Sequence, residues 1–153
     1  MENREKEERM AQYIRAIFDA FPHPVFIVDE DVQIQNFNTA AEHFLGPEAV
    51  LALHRRGGEA LQCIHAQTNG CGKAEVCQDC VIRNSINQAL SGKATFRELH
   101  KAELRPAEGR LSMDLLVTAN LLPYGEQPRV MLVLEKVSDF SKPRRSRRSS
   151  PQP

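Results

Sequence analysis

The spacing of apolar residues changes period along this chain, and each change marks an element. Between residues 2 and 20, Met10, Tyr13, Ile14, Ile17 and Phe18 recur every three or four positions among charged neighbours, which predicts an amphipathic helix. Phe21-Pro22-His23-Pro24 ends it, because proline lacks an N–H and holds its predecessor in extended geometry. The stripe is too short for a long coiled coil, so the helix is expected to pack on its own domain or on the same helix of a second copy. Val25–Val28 is an apolar run, residues 29–31 signal a turn, and Val32, Ile34 and Asn36 alternate with Gln33 and Gln35. That pattern predicts a hairpin of two short strands. Asn38 or Thr39 suits the cap of a short helix over 40–45, which Gly46-Pro47 ends. Residues 48–56 read as one or two further helical turns closed by Gly57-Gly58, and 61–80 as mainly irregular. Val81, Ile82, Ile86, Ala89 and Leu90 then share one helical face that stops at Ser91-Gly92. Three strand-like runs follow, Thr95–Leu104, Leu111–Leu122 and 129–137.

Helix, two strands, short helices and three strands in that order predict a single α+β domain: a five-stranded antiparallel sheet, short helices on one face, and an N-terminal helix. The expected organisation is an amphipathic helix over 1–20, a domain over 21–140 and a disordered tail over 141–153. The length of 153 residues fits one domain of ordinary size, and 41% hydrophobic content suffices for one core. No Trp and 6% aromatic residues give no stacking platform for nucleic acid. Formal charge is zero, yet Lys142, Arg144, Arg145, Arg147 and Arg148 lie in a tail without acids, leaving the body mildly acidic. Such a tail gives weak, salt-sensitive attachment without sequence reading, and its solvated form is the simpler expectation. No run approaches the roughly 20 apolar residues of a membrane span, and MENREKEERM lacks the apolar core of a signal peptide. A cytoplasmic location is therefore expected, where lasting structural disulfides are disfavoured.

All four cysteines fall within eighteen positions, Cys63, Cys71, Cys77 and Cys80, spaced C-x7-C-x5-C-x2-C. Thiolates gathered in this way can share zinc or an iron–sulfur cluster, or switch between dithiol and disulfide. Zinc sites usually show two close ligand pairs, and here only Cys77/Cys80 forms one; iron–sulfur clusters accept irregular spacings. His65 is an alternative ligand beside Cys63. Cys77 and Cys80 precede a predicted helix, whose dipole and unpaired amides are expected to lower their pKa and favour a redox dithiol. Four small unligated residues in a loop complete the alternatives, and spacing does not decide among them.

PVFIVDEDVQIQNFNTAAEHFLG, with its strand, acidic turn, second strand and Asn-x-Ala-Ala helix, resembles the opening of a PAS domain. LLVTANLLPYGEQPRVMLVLEKVSDFS is similar to the last two strands of that family. The likeness spans about residues 12–140. RRGGEALQCIHAQTNGCGKAEVCQDCVIRNSI resembles a cysteine-bearing bacterial subset in which Gly-Glu-x-Leu-x-Cys precedes Gly-Cys-Gly and Cys-x-x-Cys. The resemblance implies a sensory or protein-interaction module, often dimeric, with a pocket under short helices that the cysteine segment covers. Some members of the family hold haem, flavin or an iron–sulfur cluster.

No phosphate-binding loop, G-x-S-x-G or H-E-x-x-H motif occurs, so nothing argues for an enzyme. His23, His43, His54 and His100 are scattered and receive no role. The leading expectation is a cytosolic PAS-type sensor with its metal or redox site at Cys63, Cys71, Cys77 and Cys80, acting on a separate partner such as a kinase or a transcriptional regulator. A structural interaction module with a zinc-braced or unligated cysteine loop is the alternative, and a small thiol redox enzyme a weaker one.

Overall fold

The 19-residue helix α1 (Glu2–Ala20) precedes a hairpin of β1 (Val25–Val28) and β2 (Ile34–Phe37), as the apolar spacing predicts. The computed structural model describes residues 2–61, 63, 66, 70–104, 111–123 and 125–137. After the hairpin come α2 (Thr39–Leu45), a 3-10 helix (Gly46–Ala52), α3 (Gly57–Ala60), a second 3-10 helix (Glu75–Asp79) and α4 (Val81–Leu90). Strands β3 (Thr95–Leu104), β4 (Leu111–Leu122) and β5 (Arg129–Lys136) close the fold. Five antiparallel strands form one sheet in the order β2-β1-β5-β4-β3.

Alternation sets the inner face of that sheet. Met113, Leu115, Val117 and Ala119 of β4 and Val130, Leu132 and Leu134 of β5 are all buried. Ile82, Ile86 and Ala89 of α4 join them in one core, so α4 lies across β3, β4 and β5. A fully buried Ile or Leu contributes about 1.5–3 kcal/mol relative to exposure, which makes α4 the firmest of the helices. Its exit is a turn at Gly92, whose φ of 93° suits glycine.

Asn38 joins three elements. Its Oδ1 accepts from the amides of Ala41 (3.0 Å) and Val25 (2.9 Å), and its Nδ2 donates to the carbonyls of Phe18 (3.0 Å) and His23 (3.1 Å). Of the two candidate caps, Asn38 is the one used, and α2 starts at Thr39. The reading of 48–56 as helical turns closed by Gly57-Gly58 is corrected in part. The 3-10 helix stops at Ala52, residues 54–57 bond back to the hairpin, and Gly57 begins α3. The bonds from Ile34 N to Arg55 O and from His54 N to Ile34 O are contacts distant in sequence that no local pattern encodes. His65 and the tail over 141–153 lie outside the described residues. Among the described residues no helix is long and apolar enough to cross a membrane.

Candidate functional site

A cavity of about 310 Å³ lies between α3, the loop that follows it, the start of α4 and the end of β3. All four cysteines line it. Cys63 reaches it through an isolated bridge to Leu104 of β3 and a hydrogen bond that its backbone N–H donates to Gly58 O (2.7 Å). Cys71 sits on the turn between Gly70 and Gly72, Cys77 in the second 3-10 helix, and Cys80 at the N-cap of α4. Each is a half-buried thiol, and no disulfide joins them. Val32, Leu61, Val81, Ile82 and Leu104 supply apolar wall.

Cys71 is hydrogen-bonded on both its sulfur and its amide. Its Sγ accepts from the Gly58 amide (3.3 Å) and from an Arg83 guanidinium nitrogen (3.2 Å), and its own amide donates to Glu59 Oε2 (3.4 Å). Two glycines make this close approach feasible. A Cβ at Gly58 would stand 2.9 Å from the Cys71 sulfur, and one at Gly72 would stand 2.5 Å from the Arg83 guanidinium. Gly72 also has φ +87°, a region other residues enter at a cost.

Cys80 behaves differently from its expectation. Burial pushes its thiol up from the ordinary range; the amides of Arg83 and Ile82 at the start of α4 pull the other way, and negative charge at Cys71 and Cys77 adds to the rise. The helix start was expected to lower the pKa of Cys80, but desolvation outweighs it. Cys77 lies one element earlier, in the 3-10 helix.

The gathering of all four thiols on one cavity answers the sequence pattern. A shared ion asks for more: zinc holds thiolates at about 2.3 Å. Among the described residues no three Cys, His, Asp or Glu groups lie close enough to hold a metal ion. As placed, the described donors do not form the sphere of a single zinc ion.

Residues 12–80 match the protein-family model described as PAS domain. The chain has a PAS-like fold. The PAS domain of an HTR-like protein from Haloarcula marismortui superposes with a TM-score of 0.58 at 18% identity, covering 89% of this chain and 99% of that one. The PAS domain of nitrogen regulation protein NR(II) from Vibrio parahaemolyticus gives 0.57 at 17% identity, covering 80% and 95%. DhaR(N), in its complex with DhaL from E. coli, gives 0.54 at 15% identity, covering 86% and 37%. At these identities the similarity is one of fold. No curated protein matches the chain.

Within this PAS-like fold, sequence reasoning located the four thiols and missed Arg83 and Glu59. Arg83 carried a usable signal. It is the only charged residue of α4, three positions after Cys80 and so on the same helix face. Glu59 was visible only as part of the Gly-Glu-x-Leu-x-Cys string.

Proposed function

We propose that this PAS domain is a cytosolic sensory and protein-interaction module whose input site is the cysteine-lined cavity and whose output acts on a separate signalling protein. One observation carries the reading: four cysteines from a loop, a 3-10 helix and a helix start all face one cavity that abuts β3. A chemical change there alters the packing of α4 against β3 and β4, and so the outer face of the sheet. Signal transfer needs two states that the input stabilises unequally, and a thiol whose oxidation removes its bonds to Gly58 and Arg83 supplies such an inequality. The sheet and α1 are the surfaces offered to a partner such as a kinase or a transcriptional regulator. Large apolar side chains of α1, among them Tyr13 and Ile14, face solvent, which suits a second copy of the chain. That matched DhaR(N) was solved with DhaL supports a protein partner.

Cys63 and Cys80 pack against the core, which favours a second reading, a structural module braced by its cysteine loop. Amide hydrogen exchange of the full chain, purified without oxygen and compared before and after oxidation, separates the two. The sensory reading expects changed exchange in β3, β4 and α1; the bracing reading expects changes confined to residues 57–83. Metal analysis of the same sample tests a third chemistry: stoichiometric iron or zinc would make the input a metal centre.

A further inference from the structure

We propose that Cys71 is the peroxide-reactive thiol of this cavity and that it closes a disulfide with Cys80. The inference deepens the sensory reading above and rests on the cavity being its input site. Cys71 is held where negative charge on sulfur is met by a guanidinium nitrogen at 3.2 Å and a backbone amide at 3.3 Å. The thiolate is the nucleophilic form of a cysteine, and these are the two donors positioned to hydrogen-bond it as it reacts. The partner follows from helix geometry. Cys80 and Arg83 are three residues apart at the start of α4 and share a face, and Arg83 already reaches the Cys71 sulfur. Both sulfurs line the same cavity.

The oxidant is a hydroperoxide. The Cys71 thiolate attacks the outer peroxide oxygen; the S–O bond forms as the O–O bond breaks, two electrons pass from sulfur to the peroxide, and the departing alkoxide or hydroxide takes the proton that Cys71 released. Cys80 then attacks the sulfenic sulfur. The S–S bond forms, the S–O bond breaks, and hydroxide leaves with the Cys80 proton as water. Two thiols and one hydroperoxide give one disulfide, one water and one alcohol, or a second water from hydrogen peroxide. Apolar wall from Leu61, Val81 and Leu104 admits an organic hydroperoxide as readily as the smaller oxidant.

The test uses the full chain, reduced without oxygen and given one equivalent of hydrogen peroxide or of cumene hydroperoxide, with dimedone present to trap sulfenic acid and peptide mapping under non-reducing conditions. Wild-type protein is expected to lose two thiols per oxidant and to yield the Cys71–Cys80 peptide. Cys80→Ser is expected to accumulate the dimedone adduct on Cys71. Arg83→Met should slow the reaction about tenfold, the scale of one charge-assisted hydrogen bond, while preserving the pairing. The ratio of rates with the two oxidants identifies which source the cavity suits. A first adduct on Cys63, Cys77 or Cys80, or four thiols still titratable after oxidant, overturns the proposal; both readouts are available from wild-type protein, so a variant that fails to fold does not shield it. If the Cys71–Cys80 disulfide forms and amide exchange in β3, β4 and α1 does not change, the thiol chemistry stands and the sensory reading falls.

Discussion

Replacing Asn38 by Ala should weaken this domain more than any other single polar change outside the cavity. The side chain is 1% exposed, and it satisfies two amides and two carbonyls from three elements. Loss of the helix cap at Ala41 costs about 1 kcal/mol. The Val25 amide, left in the interior at the first residue of β1, adds about 1–3 kcal/mol. Water entering the space left behind recovers part of this, so a total near 3 kcal/mol is expected. For a domain of this size that lowers Tm by roughly 10 °C. Urea melts should show the midpoint falling with an unchanged slope. Asn38→Asp tests the donors separately. It keeps one acceptor oxygen for Val25 and Ala41 but turns a second oxygen toward the Phe18 and His23 carbonyls. That repulsion raises the introduced carboxyl's pKa in the folded state. A raised carboxyl pKa means the folded form binds more protons, so stability falls as pH rises through the unfolded value. The defect of Asn38→Asp should therefore shrink as pH is lowered from neutral toward the carboxylate range. A change under about 0.5 kcal/mol for Asn38→Ala, the scale of an ordinary surface substitution, would refute the reasoning.

Gly72→Ala should displace Arg83 from Cys71, because the new Cβ would stand 2.5 Å from the guanidinium; Gly92→Ala, at φ +93° with open space around it, controls for backbone strain alone. Both should lose about 1–2 kcal/mol in urea melts, and only the first should slow peroxide consumption to the Arg83→Met rate. If α1 pairs with a second copy as proposed, Ile14→Asp combined with Ile17→Asp should abolish association in sedimentation equilibrium and remove the concentration dependence of Tm, while leaving the dilute chain's melting curve nearly unchanged, since neither residue is buried within one chain. Asp19 accepts from Arg15 (2.9 Å) and from the Thr39 amide (3.1 Å), tying α1 to α2. Desolvation pushes its carboxyl up, but these bonds and the Arg15 charge outweigh it and hold it below 3.8. Its contribution is thus present above the ordinary carboxylate value and lost as pH falls through the depressed one, so the stability difference from Asp19→Asn should be flat near neutrality and vanish in acid.

Much of the fold was legible because its strands alternate and its helices end on recognisable residues. The limits of β4 follow from period-two burial, as at Met113, Leu115, Val117 and Ala119. α4 follows from Ile82, Ile86 and Ala89 and the turn at Gly92. Residues 53–57 were not legible. Their geometry is fixed by bonds to Ile34 and Val32, twenty or more residues away, and a pair of glycines that looked like a stop instead begins α3. Val32 itself takes a φ of 65°, rare for a β-branched residue, and the turn from Asp29 to Gln33 holds it there. Asp29 Oδ1 accepts from the amides of Asp31 and Gln33, both at 2.9 Å.

The candidate site shows the same division between what spacing encodes and what distance decides. Four cysteines in a short segment indicate where chemistry is concentrated, and all four do face one cavity. Which chemistry they support depends on separations of a few ångströms. Thiolates sharing one tetrahedral zinc sit on a sphere of about 2.3 Å radius, whereas a disulfide needs only two side chains to meet. Cys71 accepts hydrogen bonds from Gly58 and Arg83, and neither bond is implied by C-x7-C-x5-C-x2-C. The helix start beside Cys80 likewise suggested a lowered pKa, and burial reverses the sign. Local sequence supplied the amides at that position; only the packing of α4 against the sheet supplied the desolvation, and the packing won. That is why we propose Cys71 as the thiol that reacts first: an Arg83 guanidinium nitrogen stands 3.2 Å from its sulfur.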